Sequence, residues 1–147
     1  MRTPLLGLCP LVLAATAAGC GGSSSLSHAQ LVSQANAICA TKNSRVRALG
    51  RPTTLSGLQH ALALGIPIAE QAETQLRKLK PPSSDAAPFR DTLSLDAQAL
   101  AIDRQAEQAA AARDVARFRQ LIQQATGISS QARAKASQLG LTDCAQG

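Results

Sequence analysis

Leu55, Leu58, Leu62, Gly65, Ala69, Ala72, Leu76 and Leu79 follow one another in alternating steps of three and four residues. This register narrows the folds open to the chain more than any other feature. Such spacing lays a single apolar stripe along an α-helix. The helix is expected from about Thr54 to Leu79, and Pro81-Pro82 ends the run. Pro67 falls inside the stripe, where a missing N–H and a bulky ring predict a kink. A stripe this long must be covered along its length, and three further segments are patterned to cover it.

The first opens at Ser27, with Gln30 completing a capping box and Leu26/Leu31 forming a hydrophobic staple. Its stripe is Leu31, Ala35, Ile38, Cys39, Val46 and Leu49, and Gly50 with Pro52 closes it. The next is capped by Ser84 or Asp85, accepts Pro88 in its first turn, and extends to about Ala112. Its apolar residues fall on two faces: Phe89, Leu93, Ala97 and Leu100 on one, Leu95, Ala99 and Ile102 on the other. The last follows Asp114, with the stripe Phe118, Leu121, Ile122, Ala125, Ile128, Ala132, Ala136 and Leu139. Gly140 then Leu141 reads as a Schellman ending. No segment alternates apolar and polar residues in a β-branched background. Four helices with short connections predict an all-α, antiparallel up-and-down four-helix bundle.

Phe89 and Phe118 are the only aromatic residues. An alanine-heavy core buries little area per residue, which gives a covalent cross-link more weight in the stability. In an ideal bundle Cys39, Gly65 and Gly127 share a level, and a tail following Gly140 must climb about 18 Å to reach Cys39. Gly65 and Gly127 then allow close helix packing or admit the tail. The alternative is a mid-bundle pocket near Gly65, Pro67 and Gly127 for a small ligand.

Ahead of this domain stand a lone Arg2, the apolar run Leu5–Leu13 and the small residues Ala14–Gly19. This is the layout of a secretory signal peptide. Ala17-Ala18-Gly19-Cys20 resembles the lipobox of bacterial lipoproteins, in which the cysteine becomes the acylated first residue. The resemblance implies a signal peptide over 1–19, a lipidated Cys20 with a Gly/Ser tether over 20–26, and a bundle domain over 27–147. It also implies attachment to the bacterial cell membrane, facing the extracytoplasmic side. The other reading is cleavage after Ala15-Thr16-Ala17, which leaves Cys20 as a free thiol.

With Cys9 in the leader and Cys20 acylated, Cys39 and Cys144 remain, 105 positions apart. Two cysteines in an exported domain favour a disulfide, the alternative being two buried free thiols. Neither has a neighbouring cysteine or histidine at zinc-ligand spacing.

Catalytic chemistry has little to stand on. His28 and His60 read as surface residues, and there is no phosphate-binding glycine loop, nucleophile elbow or H-E-x-x-H. Asp96, Asp103 and Glu107 share one helical stripe and Glu70 and Glu73 another, but no histidine stands three residues beyond Glu73 or Glu107 as a di-iron bundle requires. They read as a solvated face, so the expectation is a non-enzymatic protein without a metal or cofactor.

Charge says more. The chain carries +6, or +5 once Arg2 leaves with the signal. Arg45, Arg47, Arg51, Arg113, Arg117 and Arg119 are expected at the membrane-distal end. Arg117 and Arg119 open a helix, where cations are disfavoured by about 0.3–1 kcal/mol each. This rim suits an anionic envelope polymer or an acidic protein. Nucleic acid is a poor fit without interleaved aromatics for stacking.

Finally, "ANAICATKN" at Ala35–Asn43, "LRKLKPP" at Leu76–Pro82 and "LGLTDC" at Leu139–Cys144 are similar to segments of small exported helical proteins of high-GC bacteria, many of them lipoproteins. That resemblance implies the Cys39–Cys144 pairing and a helical fold, and brings no activity with it. The expected function is a membrane-anchored binding or structural module of the cell envelope.

Overall fold

A computed structural model describes residues 25–146. The leader, Cys20 and the start of the tether lie outside the described residues. Four long helices run up and down: α1 (His28–Ala48), α2 (Leu55–Leu76), α3 (Ser83–Ala111) and α4 (Val115–Gln138). A short α5 (Thr142–Ala145) follows. No strand occurs among the described residues, and no described helix is long and apolar enough to cross a membrane.

The ends of the helices follow local chemistry. Ser27 and Gln30 form the expected capping box on α1. Thr54 caps α2 and Asp114 caps α4 through their side-chain oxygens. Gly140 adopts φ +75°, and Leu141 N–H donates to the Ala136 carbonyl at 2.9 Å, completing the Schellman ending of α4. Two boundaries differ from expectation. Helix α2 stops at Leu76 because Lys78 and Leu79 donate to carbonyls three residues back, tightening the last turn. Helix α3 begins at Ser83 without a side-chain cap, and Ser84 and Asp85 fall inside its first turn. There Asp85 is buried and accepts from His28 Nδ1 at 2.7 Å, joining the starts of α1 and α3. His28 is thus a cross-helix bond rather than a bare surface residue, whereas His60 is exposed.

Vertical register is the larger finding. Leu49, at the end of α1, reaches to 3.7 Å from the Cβ position of Gly65, and Arg45 bonds Gln71. Helix α2 therefore begins well above the end of α1. The stretch 55–64 overhangs by about 15 Å at the helical rise. The segment 50–54 makes that climb, with Gly50 at φ +79° starting it. Gly65 is consequently level with Leu49, not with Cys39 as the ideal bundle predicts.

Two cores result. The lower one joins all four helices and the tail through Leu31, Ala35, Leu76, Phe89, Leu93, Ala136, Leu139 and Leu141. The upper one belongs to α3 and α4, with Ile102, Ala106, Ala109, Phe118, Leu121 and Ala125, and takes Leu55, Leu58 and Leu62 of α2 along its edge. This split explains the two faces of α3, since its lower half packs through Phe89 and Leu93 and its upper half through Ile102 and Ala106.

The tail does not stretch. Gly140 sits beside Val32 and Asn36, so α4 ends partway up α1 and the remaining climb is short. Coiling into α5 suffices to bring Cys144 to Cys39, and the two form a disulfide with Cα atoms 5.0 Å apart. Two asparagines of α1 fix the tail backbone. Asn36 donates to the Gly140 carbonyl at 3.3 Å and accepts from Asp143 N–H at 3.0 Å; Asn43 donates to the Asp143 carbonyl at 2.7 Å. Asn43 is buried, so Asn43→Ala leaves that carbonyl without its partner. It is expected to cost about 1–2 kcal/mol in urea unfolding. An unchanged midpoint would mean that the disulfide alone positions the tail.

Candidate functional site

Because α1 ends early, the upper half lacks a fourth wall. Apolar side chains that a full-length α1 would cover instead line an open groove of about 590 Å³. Leu58, Leu62 and Ile66 of α2, Leu100 of α3, Phe118 and Ile122 of α4, and Leu49 and Pro52 at and after the end of α1 line it. The volume lies within the range typical of small-molecule sites.

Its polar groups are unevenly placed. Lys42, Asn43, Arg47 and Arg51 line the α1 side, Gln146 of the tail also reaches the groove, and Asp103 is the single acid on the walls. Arg47 and Arg51 are exposed and form no ion pair among the described residues. A second cavity of about 140 Å³ adjoins the first, sharing Lys42 and Asp103 and reaching Asp96, Ser129 and the disulfide.

Lys42 and Asp103 are half-buried, whereas Asp96 is exposed. Desolvation draws the Lys42 ammonium below the usual lysine range, with Asp96 opposing that and Arg133 adding to it. Desolvation raises the Asp96 carboxyl above its ordinary value, against the pull of Lys42 and with a push from Glu73. The Asp103 carboxyl is raised by burial alone. Folded Asp103 thus holds its proton to higher pH than the unfolded chain does, so stability falls as pH rises from the ordinary carboxylate value through the raised one. Asp103→Asn is expected to raise the Tm near pH 7 and to leave it unchanged near pH 3, where both states carry the proton. A Tm gain of equal size at both pH values would contradict this.

The other acids of these stripes have partners: Glu70 pairs with Arg104 at 2.6 Å, Glu73, which lines the second cavity, pairs with Arg77 at 2.6 Å, and Glu107 accepts from Gln59 at 3.4 Å. Asp103 departs from the solvated face expected of its stripe. Among the described residues no three His, Cys, Asp or Glu side chains are grouped to hold a metal.

The six arginines expected on one rim separate into two sets. Arg45 and Arg47 end α1 and Arg51 follows it, about 15 Å below the upper tip. Arg113, Arg117 and Arg119 surround the α3–α4 turn at that tip, all exposed. Arg47 and Arg51 border the groove, whereas Arg45 is bonded to Gln71 away from it. Of the residues expected around a mid-bundle pocket, Gly65 lines the groove. Pro67 and Gly127 are exposed, and no atom lies within 4 Å of a Cβ at Gly127, so it serves neither pocket nor close packing. Leu58, Leu62, Phe118 and Ile122 belong to or pack on the upper core as their stripes predict, and sequence reasoning missed only that they also line a groove. Helix lengths gave a partial signal, 29 residues in α3 against 21 in α1, but with 22 in α2 they do not fix the offset between α1 and α2 that opens the groove.

No protein-family model matches the chain, and no curated protein or solved structure is similar to it.

Proposed function

We propose that this chain is a non-enzymatic binding module of the bacterial cell envelope, anchored through lipid on Cys20 and facing the extracytoplasmic side, and that the groove above the end of α1 is its binding surface. The signal-peptide pattern and the lipobox-like Ala17–Cys20 supply the address. The observation that carries the binding role is the groove itself. An apolar concavity of about 590 Å³ at the side of a bundle exposes surface that folding would otherwise bury, and such concavities mark ligand sites.

Two measurements test the proposal. In cells, Cys20→Ser should move the protein from the membrane fraction to the soluble exported fraction; equal membrane retention would refute the anchor. In vitro, a neutral solvatochromic dye should brighten on the parent and not on Gly65→Leu. A Cβ at 65 meets only Leu49, at an ordinary 3.7 Å, and a leucine there replaces a helix-weakening glycine at a position that lines the groove. Equal brightening of both proteins would remove the groove from consideration.

A second reading, contact of the tip with an anionic envelope polymer or an acidic protein, draws on Arg113. It holds φ 58° at the end of α3, a left-handed position that favours glycine. Keeping an arginine there costs about 1 kcal/mol, and a cationic contact at the tip would account for it. Arg113→Gly should therefore raise thermal stability while weakening salt-sensitive retention on an anionic polymer. Unchanged retention would leave the tip without a role.

A further inference from the structure

Building on the groove as the binding surface, we infer that its occupant is a single-chain aliphatic carboxylate, with the hydrocarbon between α2 and α4 and the carboxylate against the cations of α1.

The walls define the tail. Leu58, Leu62, Ile66 and Ile122 are aliphatic, and Phe118 is the one ring among them. One aromatic face is no platform for sandwiching a flat ligand, whereas a flexible methylene chain adapts to an irregular aliphatic trough. The groove is open along one side and holds about 590 Å³, a volume that suits one chain of a dozen or so carbons better than a two-chain lipid.

The polar groups define the head. Lys42, Arg47 and Arg51 all stand on one side, and among the described residues neither arginine is matched by an acid. A carboxylate laid along that side forms charge-assisted hydrogen bonds with an arginine fork. Lys42 adds a third cation to that side, beside the counter-charge it already has in Asp96. Asp103 is the single acid among the lining residues, set against Lys42, Arg47 and Arg51. A cationic amphiphile would meet the three basic residues instead. An uncharged alcohol would leave them unmatched.

The full chain carrying Cys20→Ser can be studied without detergent, and the absence of Trp and Tyr keeps its own emission from interfering with a fluorescent probe. Dansyl-undecanoate should brighten on binding and be displaced by dodecanoate about tenfold more tightly than by dodecanol or dodecyltrimethylammonium. The Arg47→Glu/Arg51→Glu variant should weaken dodecanoate by about tenfold and improve the trimethylammonium compound. Gly65→Leu should abolish probe binding. Equal displacement by all three amphiphiles, or indifference of dodecanoate to the arginine reversal, overturns the carboxylate assignment while leaving the groove as the binding surface. Failure of the probe to bind the parent overturns the carboxylate assignment, and the groove with it only where the neutral dye also fails; undiminished probe binding by Gly65→Leu overturns both together.

Discussion

Removing the disulfide, as Cys39→Ala/Cys144→Ala, is expected to destabilise the domain by about 4 kcal/mol and lower its Tm by about 15 °C. The bridge closes a loop of 105 positions, and loops near that length gain about 4.7 kcal/mol in the chain-entropy account. The structure adds a local reason. Helix α5 has four residues and cannot persist on its own. Without the bridge the tail keeps Leu141 in the lower core and the bonds from Asn36 and Asn43. Those ties hold its beginning more firmly than its end. Calorimetry should show the fall in Tm, and hydrogen exchange should show α5 amides losing protection before those of α1. A decrease of only a few degrees would mean that packing of Leu141, not the cross-link, secures the tail.

Phe118→Ala is the second large effect, a loss of about 3–5 kcal/mol. The upper core is otherwise built from Ile102, Leu121 and small alanines. Phe118 is 7 % exposed and contributes its only ring. No fourth helix stands by to collapse onto the cavity that truncation leaves, because α1 ends below it. Phe118→Leu keeps most of the volume and should cost less than about 1.5 kcal/mol. That contrast in chemical denaturation separates lost packing from general intolerance at the site. If alanine were as mild as leucine, the upper helices would be standing by local propensity alone.

The helices were legible in the sequence because caps and stripes are local. Ser27 with Gln30, Thr54, Asp114 and Gly140 act within one turn of their own positions. The four-helix topology and the cysteine pair followed from short connections and elimination. The groove did not. It depends on where α1 stops relative to α2, and that offset is set by the segment 50–54, whose path no local rule determines. The same offset separated the arginines: Arg47 and Arg113 both follow the apolar part of a helix, but those helices end at different heights. Asp103 sat on a stripe with Glu107, yet Glu107 accepts from Gln59 while Asp103 lines both cavities. One step along the helix divides them.

The overhang also sorts contacts by their distance along the chain. Above the end of α1, the core is a hairpin of α3 and α4 around a turn at 112–114, joining residues close in sequence. Below it, Leu31 packs with Leu139 and Leu141, and Cys39 bonds Cys144, so the first helix must meet the last. Loop-closure entropy is small for the first set and large for the second. The groove lies on the boundary between them. Its α4 wall stands on the part of the chain that assembles cheaply, and its cationic wall on the part held by long-range closure.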